Sequence, residues 1–240
     1  MKIYSSQALA LIFGVGLVFS LPARARDTVI ESGNLSGAVA ASNRANDLYK
    51  KGDLAGAIQA YSMAFKIDPR MYLALYERGT IYMEQHKWEP AIADFNQALV
   101  ISPSFFLAAI KRAEVHQRLG HYDQALAELD HIINLHPRYH TDALARTDRA
   151  WLYATCPAPA FRNGRQAVAD ATAACKIDSW DNWDYIDTLA AAYAEAGDFE
   201  KAIKFEQKAI RKARHADTKA AQERLALYQQ HRPFRLERAP

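Results

Sequence analysis

The sequence predicts an all-α solenoid, a stack of about five helix pairs closed by one further helix. Half of the 240 residues are hydrophobic, while only 10 are glycine and 9 are proline, a composition that favours helices. A 34-residue spacing also recurs in four independent registers, which indicates a repeat architecture. These registers are Pro69, Pro103 and Pro137; Ala57, Ala91 and Ala125; Ala45, Gly79 and Ala113; and Tyr61, Phe95 and Leu129.

Each period predicts two helices joined by a tight turn. In the second period we expect helices over 72–85 and 88–101, with Pro90 in a first turn, where proline is tolerated. Asp53 and Asp198 are suited to capping the helices that follow them. Glycine, which is typical of a helix end, stands at the turns of three other periods: Gly52, Gly120 and Gly197. Because no pair can bury its apolar face alone, the pairs must stack.

The stretch YERGTIYMEQHKWEPAIADFNQALVISP, residues 76–103, resembles the tetratricopeptide repeat family along its whole length. The resemblance covers residues 38–212, most closely as a secreted bacterial member, and implies a right-handed superhelical solenoid. The expected units are 38–71, 72–105, 106–139, 143–181 with an inserted loop, and 183–212. Residues 26–37 are expected to form an N-terminal linker, and 213–240 a capping helix and a basic tail.

The fourth unit is longer than the others at the turn between its helices. Ala150 and Ala167, which take the places of Gly79 and Ala91, are 17 residues apart instead of 12. The five extra residues begin in the segment CPAPAF, and its two prolines end the first helix of the unit.

The two cysteines are expected to be free thiols. Cys156 stands at the end of a helix, and Cys175 lies about 11 residues into the next one, which is roughly 16 Å along an antiparallel rod. A disulfide requires Cα atoms within about 7 Å. No histidine lies in the same unit to activate Cys156, so it is not expected to be a nucleophile.

The first 25 residues predict a secretory signal peptide. Lys2 precedes an apolar stretch over 8–21, which is shorter than the roughly 20 residues of a membrane span. The sequence ARA over 23–25 then matches a signal-peptidase site, with cleavage after Ala25. The alternative is an uncleaved anchor. We expect a periplasmic or secreted protein, with no stable membrane insertion after cleavage.

No cofactor, metal or catalytic site is expected. The phosphate-binding, zinc-protease and hydrolase motifs are all absent from the sequence. Five histidines cluster between 116 and 140, but their spacing does not bring them to one point, as a metal site requires. They are His116, His121, His131, His136 and His140. We therefore expect a protein that is not an enzyme.

Arginines also follow the 34-residue period. Arg44, Arg78 and Arg112 are in register, and Arg149 holds the equivalent place in the fourth unit. Acids recur in the second helices of the same units, at Asp94, Glu128 and Asp170. We expect an arginine–carboxylate pair in units two, three and four. The alternative is an anion-binding stripe, for which Arg44, the arginine without a matching acid, would be the most available.

The resemblance implies that the first helices of the pairs line a concave face that binds a peptide or a helix of a partner protein. Register places Tyr76, Met83, Ile110 and Trp151 there as apolar anchors. The full set of expected partner-binding residues is Asn46, Tyr49, Lys50, Tyr76, Thr80, Met83, Ile110, Glu114, Gln117, Arg118 and Trp151. The expected function is a non-enzymatic periplasmic scaffold, with no nucleic-acid partner; the sequence leaves the oligomeric state open.

The basic C-terminus offers an alternative function. Without residues 1–25 the chain carries 28 basic and 27 acidic residues, yet 211–240 alone carries eight basic against three acidic ones. This stretch could bind an acidic polymer or an anionic membrane. Within it, we expect 216–230 to form the capping helix and 232–240 to be loose. The outer, polar face of this capping helix is expected to hold Lys219, Gln222, Glu223, Arg224 and Gln229.

Overall fold

A computed structural model of the protein describes residues 28–135, 139–213 and 218–237, with side chains from Leu35 onward and only the backbone of Tyr139. The predicted signal peptide, 1–25, lies outside these residues. Every regular element in the described part is helical, which confirms the all-α solenoid.

Within the described residues, five helix pairs follow one another, and an eleventh helix closes the stack. The pairs are α1 (Thr28–Lys50) with α2 (Leu54–Ile67), α3 (Tyr72–Glu84) with α4 (Trp88–Ile101), α5 (Phe106–Arg118) with α6 (Tyr122–Asn134), α7 (Tyr139–Thr155) with α8 (Gly164–Ile177), and α9 (Trp183–Glu195) with α10 (Phe199–Lys212). The closing helix is α11 (Lys219–Gln229). Each even-numbered helix contacts the helices before and after it.

The first helix begins earlier than the sequence suggested. Residues 28–37, which we expected to belong to a linker, form the first turns of α1. No proline interrupts the chain between Thr28 and Lys50, so the helix continues through this stretch. Ala38, directly after it, is fully buried.

The turns inside the pairs have the expected geometry. Gly52 and Gly120 adopt φ values of 82° and 77°, a left-handed conformation that glycine takes without strain. His86 holds the same place in the second pair with φ 56°. Asp53 and Asp198 cap α2 and α10, because their side chains accept hydrogen bonds from the amides three residues on.

Small residues allow the helices of a pair to approach closely. A Cβ atom on Gly79 would lie 2.8 Å from the ring of Phe95, inside contact distance. Ala57, Ala91 and Ala98 are fully buried between the helices.

The arginine–carboxylate pairs form as expected, and each arginine also reaches one unit further. Arg78 donates to both carboxylate oxygens of Asp94, and also to the Ser62 hydroxyl at 2.7 Å. Arg149 pairs with Asp170 at 2.8 Å and with Asp130 at 2.6 Å. Arg112 joins Glu128 and Asn96 in the same way. Since residues 62, 96 and 130 lie on the second helix of the preceding pair, these arginines fasten successive pairs together.

The inserted loop of the fourth pair folds back over its neighbours. Its 3-10 turn, Pro159–Phe161, places Phe161 against Tyr122 at 5.6 Å between ring centroids. Arg162 pairs with Glu195 at the end of α9. The loop therefore bridges the third and fifth pairs.

Candidate partner-binding face

The odd-numbered helices form one continuous wall, which we call the inner face. Contacts join α3 to α5, α5 to α7 and α7 to α9, although these helices are not consecutive in the chain. All eleven predicted partner-binding residues lie on these helices. The structure places them in three different environments: accessible, held by internal hydrogen bonds, and buried.

Accessible side chains lie near the C-terminal ends of the first three odd-numbered helices. Lys50 is exposed, and Tyr49, Met83, Gln117 and Arg118 are partly exposed. The Tyr49 hydroxyl donates to the carboxylate of Glu84, which ties α1 to α3 across the wall. Burial, followed by this hydrogen bond, raises the pKa of Tyr49, so the hydroxyl keeps its proton at neutral pH.

Two of the predicted residues are held by internal hydrogen bonds. The side-chain oxygen of Asn46 accepts a hydrogen bond from the Tyr61 hydroxyl. The Thr80 hydroxyl donates to the carbonyl of Tyr76 at 3.0 Å, one turn earlier in α3. A partner would have to replace these bonds in order to use either group.

Most of the predicted apolar anchors are buried within the chain. Tyr76 is 4% exposed because its ring packs between Phe95 and Phe105, at centroid distances of 6.1 and 5.1 Å. Ile110 is 5% exposed in the core between α5 and α6. Both therefore contribute to the core rather than offering surface, and among the four anchors only Met83 is partly exposed.

Four of the predicted residues meet in one recess between α5 and α7. Glu114, Gln117, Arg118 and Trp151 line it, together with Ala113, Leu129 and Asp148. Glu114 contacts a cation on each side, Lys111 at 3.0 Å and Arg118 at 3.8 Å. The recess therefore combines an aromatic wall with charges of both signs.

A second acid of the inner face, Glu77, is not among the eleven predicted partner-binding residues. Burial raises the pKa of Glu77 to about 7, and the neighbouring carboxylate of Glu84 adds to the rise. The signal was present, because Glu77 occupies the same register as Lys111, 34 residues later. An acid at such a position faces the wall and loses water.

The C-terminal tail is not loose over residues 232–237, contrary to our expectation. Phe234 and Leu236 pack on the core formed by α7, α8 and α9, and Phe234 contacts Trp151 at 5.8 Å between ring centroids. The Leu236 amide donates to the carbonyl of Thr155 at 2.9 Å. The apolar residues between the arginines were the missed signal, since they give the tail a reason to dock.

Arg224 does not lie on the outer face of the capping helix, as we had expected. It is 5% exposed and pairs with Asp187 of α9 and with Glu206 of α10, the latter at 3.4 Å. Its guanidinium also lies 5.6 Å from the ring centre of Trp151. Two buried acids on the last pair favour a cation between them, and the orientation of the capping helix supplies it.

Both cysteines are buried, and neither forms a disulfide. Cys156 packs in the core beneath the third pair, whereas Cys175 packs in the core of the fourth and fifth pairs. Burial raises the pKa of both thiols, that of Cys175 to about 12, so they remain protonated at neutral pH.

Within the described ranges, histidine, cysteine and acidic side chains do not converge in a group of three or more suited to a metal ion. His136 lies outside those ranges. Across the same part of the chain, no helix combines the length and the apolar character that crossing a membrane requires.

Stacked helix pairs with a continuous inner wall define a helical-repeat scaffold, a class of protein that presents an extended surface to other proteins. Residues 72–105 match a family model described as tetratricopeptide repeat, and residues 45–86 match a second one described as TPR repeat. The chain is a tetratricopeptide repeat protein. No curated protein matches it.

Solved structures with the same fold are tetratricopeptide repeat proteins. PilW, a widely conserved type IV pilus biogenesis factor, is 18% identical with a TM-score of 0.65, covering 81% of this chain and 90% of PilW. A thermophilic TPR protein of Thermus thermophilus is 20% identical with a TM-score of 0.62, covering 80% of this chain and 99% of that protein. YrrB, described as having an unusual peptide-binding site, is 23% identical with a TM-score of 0.54, covering 84% of this chain and 98% of YrrB. At these identities the likeness shows the fold alone.

Proposed function

We propose that the protein is a non-enzymatic adaptor whose inner face binds an extended segment or a helix of a partner protein. The observation that carries this proposal is the recess between α5 and α7. Glu114, Gln117, Arg118 and Trp151 come from two different helix pairs and line one recess. The recess holds only about 30 Å³, room for about one water molecule, so a partner would lie over its rim, where its backbone or charged groups would meet the partly exposed amide of Gln117 and guanidinium of Arg118.

The charges along the wall indicate the chemistry of the partner. Lys50, Glu84 and Arg118 hold one register of the repeat, so positive, negative and positive groups follow one another from α1 to α5. Partners with the opposite alternation would be favoured and uniformly charged ones disfavoured. YrrB, which has the same fold and is described as having an unusual peptide-binding site, supports peptide binding by a scaffold of this kind.

The test is a peptide selection with matched charge reversals. Peptides from a displayed random library are selected on the wild-type chain, and their dissociation constants are then measured by fluorescence anisotropy. Arg118→Glu should weaken them at least tenfold, because it reverses a charge at the mouth of the recess. The control is Arg165→Glu, which reverses an exposed arginine on the even-numbered helix α8 and should change binding less than twofold.

Two results would overturn the proposal. One is a selection that enriches no peptide, and the other is equal binding by the two variants. Circular dichroism melts of both variants show whether the fold is intact. This control is needed because Arg118→Glu places a second acid one helical turn from Glu114, and their repulsion lowers the free energy of unfolding by about 0.5 kcal/mol.

We further propose that the adaptor works outside the cytoplasm. This rests on the sequence of residues 1–25, whose short apolar stretch and ARA site suit a cleaved signal peptide. Expression of the full chain with a C-terminal tag, followed by fractionation and N-terminal sequencing, should give an extracytoplasmic protein that begins at Arg26. A product that retains Met1 and sediments with membranes would favour the uncleaved anchor.

The alternative function, binding of an acidic polymer by the C-terminal stretch, has less support. Arg224 is buried between two acids, and Arg235 is paired with Glu195. Lys212 pairs with Asp181 at 3.1 Å. Three of the basic groups of that stretch therefore already have carboxylate partners. Binding to heparin-agarose that falls steeply with salt would favour the alternative, since release of counterions gives that dependence.

A further inference from the structure

The inserted loop of the fourth pair leaves the end of α7 open. Thr155 is the last residue of α7, and the amide that would continue the helical pattern to its carbonyl belongs to position 159, which is proline. Proline carries no N–H, so this carbonyl must find its partner elsewhere. The Thr155 carbonyl accepts a hydrogen bond from the Leu236 amide, at 2.9 Å.

The carbonyl of Ala154 is also satisfied in a way that differs from the other pairs. The equivalent carbonyls of the remaining pairs accept from a backbone amide of their own turn: Tyr49 from Gly52, Met83 from His86, Gln117 from Gly120 and Ala194 from Gly197. Ala154 accepts instead from the guanidinium of Arg235, at 3.1 Å and 81 residues away in sequence. The five-residue insertion has thus converted a closed turn into an acceptor site.

An acid and an aromatic ring complete this site. Glu195, at the end of α9, pairs with Arg235, so the site favours a cation beside the two carbonyls. Phe234 lies 5.8 Å from Trp151 and 5.8 Å from the guanidinium of Arg224. The aromatic residue, the arginine and the leucine are thus each matched by one feature of the inner face, namely the Trp151 ring, the Glu195 carboxylate and the Thr155 carbonyl.

We propose that Trp151, Ala154, Thr155, Glu195 and Arg224 form a binding site, here called the tail site, for an extended aromatic–arginine–leucine segment of a partner protein. Residues 234–236 occupy this site in the free chain, and a partner segment of the same chemistry takes their place. The inference rests on the proposed function, because it assumes that the inner face binds protein segments, and it specifies which segment one end of that face accepts.

The tail is held weakly enough to be exchanged. Residues 233–236 are only half-buried, and the segment lies outside any helix or strand. One backbone hydrogen bond, from Leu236, fixes its main chain to α7. Local release of such a segment requires much less free energy than global unfolding. Trp151 also lines the recess between α5 and α7, so a partner seated in the tail site can continue along the inner face.

The experiment supplies the segment as a separate molecule. A fluorescein-labelled peptide HRPFRLE, the sequence of residues 231–237, is titrated by anisotropy into the full chain and into the full-length variant F234A/R235A. In the wild type the tethered tail competes at an effective concentration in the millimolar range. The variant should therefore bind the peptide at least tenfold more tightly. The control peptide HRPALLE should not bind.

A third chain localises the binding. Adding Glu195→Gln to F234A/R235A should weaken the peptide at least fivefold, because the cation loses its carboxylate. Equal binding of HRPFRLE by the wild type and by F234A/R235A would overturn the proposal and make the tail a permanent strap. Binding that ignores Glu195→Gln would also overturn it.

A measurement on the unmodified chain guards against variants that fold poorly. A peptide with a photoreactive benzophenone in place of its phenylalanine should cross-link to wild-type α7 or α9 at high concentration, and adducts confined to other helices would contradict the tail site. The two proposals fail separately. If HRPFRLE does not bind as expected, the tail site is refuted, but selected peptides that depend on Arg118 still support the proposed function. If the selected peptides are insensitive to Arg118→Glu, the proposed function is refuted even if HRPFRLE binds.

Discussion

Replacing Arg224 by methionine should destabilise the C-terminal end of the solenoid more than almost any other single change. The guanidinium joins α11 to Asp187 of α9 and to Glu206 of α10, and all three residues are buried. Methionine keeps much of the apolar stem and removes the charge. Two acids are then buried together without this cation. Breaking a buried ion pair in this way lowers the free energy of unfolding by about 3–5 kcal/mol.

The loss should be local, because each unit of a repeat protein contacts only its neighbours. Urea denaturation followed by circular dichroism at 222 nm should show an early transition for Arg224→Met that the wild type lacks. Hydrogen exchange should place that transition in α9, α10 and α11. Glu223→Met, at the adjacent exposed position, serves as the control and should change stability by no more than about 0.5 kcal/mol.

A triple variant tests the cause. Adding Asp187→Asn and Glu206→Gln to Arg224→Met removes the stranded charges and should recover a large part of the loss, since neutral groups can replace a buried ion cluster. If Arg224→Met melts like the wild type, or if the triple variant is less stable than the single one, the buried charges do not hold the capping helix.

Three further predictions concern stability and reactivity. Gly164→Ala should lower the free energy of unfolding by about 1–3 kcal/mol, because its Cβ would lie 2.7 Å from the backbone nitrogen of Ala196; urea melts check this against Arg165→Ala, and equal stability would contradict it. Burial raises the pKa of Glu77 from 4.5 to about 7, so the folded chain keeps this proton where the unfolded chain has lost it, and stability falls as pH rises through this window. Glu77→Gln should therefore gain about 2 kcal/mol relative to the wild type between pH 5 and pH 8, and a constant difference in urea melts at the two pH values would refute this. Both thiols should resist alkylation in the native chain, and mass spectrometry should count two labels after denaturation; rapid native labelling would show that Cys156 or Cys175 is accessible.

The sequence alone determined what repeats at short range. The 34-residue register identified the helix pairs, the turns at Gly52, Gly120 and Gly197, and the caps at Asp53 and Asp198. It also identified the pairs Arg78–Asp94, Arg112–Glu128 and Arg149–Asp170, which the structure confirms. These features join residues at most 21 positions apart, within one unit, so a periodic pattern is sufficient to reveal them.

Tertiary structure alone decided which residues of the inner wall are accessible and where the tail lies. Register places Tyr76 and Met83 on the same face of α3, but the neighbouring Phe105 covers Tyr76 and leaves Met83 partly open. The contact between Arg235 and Ala154 spans 81 residues and has no counterpart in the other described pairs, so the 34-residue period could not predict it. It exists because position 157 is proline, so the backbone amide that satisfies the equivalent carbonyl in the other pairs is missing, and the Arg235 guanidinium donates to the Ala154 carbonyl instead.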